Sequence, residues 1–330
     1  MTNQNSYNVF VIAVSFNSEK YINDFISSVI NSDYPVTLVL VDNGSNDQTS
    51  NIAERFGSQV VILRQKANTG FGIGNNIGIK YALDHGADYL FLLNTDMKIE
   101  PDTVRNLLNA AKRNPDYGII SPVCLNFEGD QLEKMFAESL FEKNNLHSET
   151  RKIVSGLFIK KQSSIYQTSF INAAHWFMPA ETIQHIGGFD PIFTPAYHED
   201  DEMCIRVLKY GMKIGFITDC VVYHDTENRK ASKFLPEIHF VLTRYYEKII
   251  HSNYFITFYL LLFAGILRTA KHLIFFNREN LYQNLFFFFP EMLRKRRILK
   301  DTWRKNKHGE AISLCTVMNN EYTPVYLKSK

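Results

Sequence analysis

Cysteine is scarce in this 330-residue chain, which has only Cys124, Cys204, Cys220 and Cys315. The four lie far apart, with no CxxC pair and no Cys/His zinc spacing. That argues against a disulfide framework and reads as buried or free thiols in a reducing compartment. A secretory signal is also missing. The apolar stretch 9–14 has no basic residue before it and reads as a first strand. No Gly-Lys-Ser/Thr follows the glycine-rich stretch 68–78, which excludes a P-loop there, and that stretch does not fit GxGxxG. An uncharged run long enough to span a membrane is lacking in the C-terminal third. Residues 249–267 carry no formal charge, but His251, Ser252 and Asn253 interrupt them. The dense part, 255–267, falls short of the roughly 20 apolar residues a spanning helix needs.

What is present is a core and a charge split. Hydrophobic residues make up 45% and charged residues 21%, enough to bury a core and too apolar for disorder. The net charge of +2 hides an asymmetry. Residues 1–225 hold 18 basic and 26 acidic side chains, a net of −8, and residues 226–330 hold 18 and 8, a net of +10. An acidic body and a basic tail suggest two parts with different partners. Eleven of the 26 phenylalanines lie in the tail, including the run 286–289.

The pattern along the chain alternates. Strands are expected at 9–16, 37–41, 60–63 and 89–93, separated by helices at 18–30, from 46 or 47 towards 56, and 75–85, with another from Pro101 to about Arg113. This β-α-β-α-β-α-β order predicts an α/β fold with a mostly parallel sheet. Ligands then bind beyond the carboxyl ends of the strands. Residues 125–170 are less regular. A second ordered block runs from Ile171 to His224.

Five segments carry chemistry-bearing residues. Asp42-Asn43-Gly44-Ser45 ends the second strand, either as a plain turn or as an acid presented to a nucleotide. The glycines of 68–78 precede a helix, as a flexible lead-in or as a backbone approach to phosphate. Asn94-Thr95-Asp96 ends the fourth strand, where an Asp either caps a helix or holds Mg²⁺ or Mn²⁺. Glu199-Asp200-Asp201-Glu202 is flanked by apolar segments, so at least one carboxylate should face a partly buried site and serve as a base. His224 follows an apolar strand, as a structural residue or a metal ligand.

The order of these motifs is more specific than any one of them. VDNGS, NTGFGIGNN, LLNTD, GGFD with HEDDEMCIR, and YH together resemble the family 2 glycosyltransferases with the GT-A fold, across about residues 8–225. The nearest branch is the bacterial rhamnosyltransferase-like one of cell-surface polysaccharide synthesis. The resemblance implies a catalytic domain over 1–225, with a nucleotide-binding half (about 8–115) and an acceptor half (about 116–225). It assigns nucleotide contacts to Ser15, Asn17, Asp42, Asn68, Gly70, Asn76 and Thr95. Asp96 and His224 hold a divalent ion, Mg²⁺ or Mn²⁺. Asn94 stands where the metal-binding DxD motif has its first acid. Asp200 is the base, with Glu199 beside it, and Ala174, His175 and Trp176 form the floor of the acceptor pocket. Processive members carry QxxRW further on; none is found here, so transfer of a single sugar is expected.

The implied reaction is inverting transfer from a nucleoside diphosphate sugar, dTDP-rhamnose or a UDP-hexose, to a hydroxyl of a glycan or lipid-linked glycan. Other readings are a sugar-nucleotide nucleotidyltransferase, which would show a basic glycine-rich loop after the first strand, and a non-catalytic scaffold. Residues 226–330 read as a helical region that lies on an anionic membrane surface or forms a homodimer. Nucleic acid is not an expected partner. A cytoplasmic enzyme peripheral to the inner face of the membrane is the resulting expectation.

Overall fold

In a computed structural model, residues 6–141, 165–225, 237–274, 282–308 and 325–326 are described below. Cys315 and parts of the irregular stretch 125–170 fall outside them.

The first half alternates as expected. Strands β1 (Val9–Ser15), β2 (Val36–Asp42), β3 (Val60–Arg64) and β4 (Tyr89–Leu93) are joined by helices α1 (Ile22–Ile30), α2 (Thr49–Glu54) and α3 (Phe71–Asp84). β2, β1 and β4 pair in parallel, as do β2 and β3. β1 is almost wholly buried, as a parallel strand covered on both faces must be. α1 turns Ile22, Phe25, Ile26 and Val29 inward. Full burial of such a side chain is worth roughly 1.5–3 kcal/mol.

Two helix starts differ from the periodicity. α1 begins at Ile22 rather than Ser18, because Asn17 is left-handed (φ 52°) and residues 17–19 bond across to the loop after β2 and the first residue of α2. α3 begins at Phe71, four residues before the expected Asn75. Glycine inside a helix costs roughly 0.5–1 kcal/mol relative to Ala. Here it permits close packing on β1, since a Cβ at Gly78 would lie 2.5 Å from Ile12 Cγ2.

Beyond β4, the sheet continues with β5 (Met97–Ile99), β6 (Tyr117–Asn126), β7 (Ile165–Thr168), β8 (His175–Pro179) and β9 (Lys213–His224). The path runs β10-β3-β2-β1-β4-β8-β6-β9-β5, where β10 is Val325–Tyr326 and β7 pairs with β9. β8 is antiparallel to both β4 and β6, and β9 is parallel to β6. β9 therefore runs the same way as β4, and its last residue, His224, reaches the sheet edge where β1, β2 and β4 end. Helices α4 (Thr103–Arg113), α5 (Lys134–Phe141), α6 (Ala180–Ile186) and α7 (Glu199–Lys209) complete this part.

Helices α8 (Glu237–His251), α9 (Tyr254–Ile274) and α10 (Phe289–His308) follow, with a π-helical turn at Asn284–Phe288. They enclose a second core around Tyr246, Ile249, Phe288 and Leu299, into which Ile192 and Phe193 also insert. α9 is one continuous 21-residue helix, longer than its dense apolar part suggests. Its charges, Arg268 and Lys271, fall near the carboxyl end, where cations favour the helix dipole.

Candidate active site

The strand ends at this edge bring most of the motifs together. Asp42, at the end of β2, is buried and held on both oxygens: Oδ1 accepts from Ser45 N at 3.0 Å, and Oδ2 accepts from the Ser50 hydroxyl. Arg64 Nε donates to Ser50 Oγ at 3.3 Å, tying β3 to the same group. Ser15 is buried at the end of β1, its hydroxyl 3.4 Å from the Val41 carbonyl. Asn17 is exposed and accepts from Asn46 N at 2.9 Å.

Asn43 is the hub that sequence reasoning missed. Its Oδ1 accepts from Thr69 N (3.0 Å) and Thr69 Oγ1 (2.9 Å), and its Nδ2 donates to Asn68 Oδ1 (3.1 Å) and Gly70 O (3.2 Å). It thereby pins the glycine loop to the end of β2. Gly70 has φ +87°, and a Cβ there would lie 2.4 Å from Pro195 O. Phe71 N donates to that same carbonyl at 2.9 Å. The loop thus meets the segment before α7, where Tyr197 (φ 80°) and His198 (φ 68°) are consecutive left-handed residues. Non-glycine residues persist in that region only where the surroundings hold them, and they cluster at functional sites.

Asn76 belongs to the scaffold. Its Nδ2 donates to Phe189 O and its Oδ1 accepts from Phe189 N, both at 2.8 Å, so its amide joins α3 to the GGFD turn. The same turn is clamped from below by Arg206, which donates to Ile186 O (2.6 Å) and Gly188 O (2.8 Å) and pairs with buried Glu202 (2.8 Å). Burial alone would raise the Glu202 pKa, but Arg206 and His251 outweigh it and bring it to about 2. Burial, then the Glu202 charge, raises Asp190 to about 6.

At the end of β4, Thr95 Oγ1 lies 3.0 Å from Ser18 Oγ. Asp96 Oδ1 lies 3.1 Å from His224 Nε2, and both residues are buried. Asp96 O accepts from Asp225 N, and Lys20 pairs with the Asp225 carboxylate at 3.1 Å. The expected juxtaposition of Asp96 with His224 therefore exists, although they are 128 residues apart.

The carboxylates of 199–202 diverge. Glu202 turns into the Arg206 clamp, and Asp201 faces His198 (3.3 Å). Glu199 is buried beside the start of α3, with one oxygen unpartnered. Burial, and secondarily the Asp200 charge, raises it to about 8. Asp200 stays half-exposed, with Oδ1 accepting from Asp201 N at 2.9 Å. Burial opposes the charged form of His198, but Asp201 and Glu247 of α8 outweigh it and raise its pKa to about 9.

The three residues expected to floor an acceptor pocket are buried in the core. Trp176 and His175 are fully enclosed; Trp176 Nε1 donates to Ile171 O, and His175 Nδ1 meets Ser121 Oγ at 2.7 Å. Ala174 is buried, its carbonyl accepting from Asn94 N. These residues support the end of β4 from behind.

Comparison with known proteins bears on the family and the fold. The profile of Glycosyl transferase family 2 matches residues 10–171. The chain is 30% identical over 235 residues to the N-acetylglucosaminyl-diphospho-decaprenol L-rhamnosyltransferase of Mycobacterium tuberculosis, covering 65% of this chain and 75% of that one. It is 27% identical over 209 residues to the low-salt glycan biosynthesis hexosyltransferase Agl10 of Haloferax volcanii, covering 62% of this chain and 63% of the relative, just under two thirds of it. Among solved structures, Staphylococcus aureus TarS 1–349 in complex with UDP-GlcNAc superposes with a TM-score of 0.56 at 16% identity, covering 92% of each chain.

Proposed function

The chain belongs to glycosyl transferase family 2, and from that premise we propose that it moves one sugar from a nucleoside diphosphate sugar to a hydroxyl of a glycan or lipid-linked glycan, with inversion. Its fold is the GT-A fold shared with TarS. The observation that supports the reading most is the Asp96–His224 pair at the edge where Asp42 ends β2, with the glycine loop bonded both to Asn43 and to the segment before Glu199.

In this reading Asp42, Ser15 and Asn17 receive the nucleoside, with the loop at Asn68 and Gly70 closing beside it and Thr95 lining the pocket. The oxygen-rich ends of β1, β2 and β4 fit Mg²⁺ or Mn²⁺, which take carboxylate and phosphate oxygens. Asp96 would be the direct ligand, with His224 holding its Oδ1. When bound, such an ion would neutralise the departing diphosphate.

Asp200 takes the acceptor hydroxyl proton as the oxygen bonds to the anomeric carbon and the bond to the diphosphate oxygen breaks. Glu199 is unsuited to that step near neutral pH. Its buried carboxyl keeps its proton to about pH 8 and so adds no second charge beside Asp200. General-base assistance is worth roughly 10²- to 10⁴-fold. Asp200→Asn should lose that much kcat while nucleotide affinity, read by calorimetry, and melting temperature hold. Full turnover in that variant would refute the base assignment.

The donor sugar follows only the relatives' names: rhamnose from the mycobacterial one, a hexose from the haloarchaeal one. A panel of dTDP- and UDP-sugars in a hydrolysis assay with Mn²⁺ decides between them. A scaffold would hydrolyse none.

The C-terminal helices favour a lipid-borne acceptor met at the cytoplasmic face of the membrane. α9 is long and apolar enough to cross a membrane, the one such helix among the described residues, yet Tyr254, Phe258 and Gly265 are buried along it. At Gly265 a Cβ would lie 2.3 Å from the Phe288 ring, so the two elements are closely packed. The opposite stripe, Ile256, Leu260, Phe263 and Leu267, is 56–61% exposed. Spacing of four, three and four residues aligns it on one helix face. Arg296 and Arg297 on α10 supply exposed cations. One protein-facing side and one apolar side describe a helix that lies in the interface.

A further inference from the structure

Behind the strand ends lies a cluster of which the transfer chemistry uses only His224, through its Nε2. Cys124 is on β6, Glu133 precedes α5, and His224 ends β9. In the β6–β9 register Cys124 faces Val222 and Asn126 faces His224. Cys124 and His224 are thus two positions apart in register and share a sheet face. Glu133 is drawn in by its backbone, with Glu133 N donating to Cys124 O at 2.9 Å. The three side chains are 0%, 1% and 2% exposed, and their Sγ, carboxylate oxygen and ring nitrogen all lie within 4.8 Å of one another.

Two atoms of this cluster are orphans. Glu133 Oε2 accepts from Phe136 N at 2.7 Å, but Oε1 has no partner. His224 Nε2 faces Asp96, but Nδ1 has no partner. His175, which is also fully buried, has an unpartnered Nε2 in the same interior. Cys124 Sγ makes only a 3.8 Å contact to Leu125 O. A buried polar atom without a partner is costly, so several together call for a shared one.

We infer that Cys124, Glu133 and His224 form a buried site for a transition-metal dication, zinc by the chemistry of the donors. A thiolate and a carboxylate carry two negative charges, which one dication cancels. Thiolate and imidazole suit zinc, whereas Mg²⁺ and Mn²⁺ prefer the all-oxygen strand ends. Tetrahedral zinc sets its donors roughly 3.3–3.6 Å apart, so loading draws the three in from a spacing that lies within 4.8 Å. Coordination through Nδ1 leaves the His224 proton on Nε2, which donates to Asp96 Oδ1 at 3.1 Å. A metal-bound histidine ordinarily donates its other N–H to a carboxylate in this way. The site would then brace Asp96 from behind. Without an ion, burial and the Glu133 charge hold Cys124 as the thiol, so loading releases a proton.

The test reads metal, so it is independent of the proposed transfer. The full chain, expressed without a histidine tag and dialysed exhaustively, should retain about one zinc per chain by mass spectrometry, because all three ligands are buried. Cys124→Ser and Glu133→Gln should each lower retention about tenfold or more. Cys204→Ser, at a buried thiol outside the cluster, should not. Chain produced in cobalt-supplemented medium should show a thiolate-to-cobalt charge-transfer band, a readout that needs no variant. Substoichiometric metal together with no cobalt band would overturn the site and leave a water, or a direct Glu133–His224 hydrogen bond, to satisfy the orphans. Zinc retained undiminished in Cys124→Ser would overturn it equally.

Discussion

Glu199 shows how one residue's setting governs its chemistry. In the folded chain it keeps its proton to about pH 8, against an ordinary value of 4.5. The folded state binds that proton more tightly, so stability falls as pH rises from 4.5 through 8. Glu199→Gln removes this loss. Its melting temperature should match the parent below pH 4.5 and exceed it increasingly as pH rises towards 8. Thermal melts across that range check it. The strand-end acids Asp42 and Asp96 were legible because each breaks an apolar run. Asn43 and Asn76 were not. Asn43 acts through Thr69 and Asn68, and Asn76 through Phe189, 113 residues away.

At the scale of elements, the glycine loop and the segment before α7 act on each other. Gly70 carries φ +87° and touches the Pro195 backbone. Gly70→Ala should destabilise the chain by roughly 1–3 kcal/mol, because alanine meets both a left-handed backbone and a clash. Denaturant titration reads that loss, and donor KM should rise with it. An unchanged midpoint would show that the contact is slack. Periodicity found β4 to the residue and β1, β2 and β3 to within one, but set no bounds for the strands beyond β4. Helix starts were less legible, since Asn17 and Gly70 set them through contacts with distant loops. The close packing of Gly78 on Ile12 likewise depends on the tertiary position of α3.

At the scale of the whole molecule, His198 joins α7 to α8 through Asp201 and Glu247, at 3.3 and 3.4 Å. Its folded pKa of about 9 stands above the ordinary 6.5. The stabilisation is therefore complete below pH 6.5 and lost as pH rises through 9. Glu247→Gln should flatten the decline in melting temperature between those limits, and a slope identical to the parent's would sever the link. On the outer side, the triple substitution Ile256→Glu, Leu260→Glu and Phe263→Glu should weaken co-sedimentation with phosphatidylglycerol vesicles on the order of a hundredfold or more, since each lost side chain removes roughly 1.5–3 kcal/mol of burial. Full binding by that variant would remove the interface from α9. Salt should weaken the parent's binding, as screening requires.

The sequence by itself determined the α/β order, the strand-end acids and the division between an acidic body and a basic, aromatic tail. These rest on periodicity and on charge, which are local along the chain. Only the tertiary structure decided which face of α9 is bare, that His175 and Trp176 are core, and that Asn43 and Asn76 are braces. It alone brought Cys124, Glu133 and His224 together. No spacing rule foretells that cluster, because it is created by the register of β6 against β9, strands that lie about a hundred residues apart in the chain.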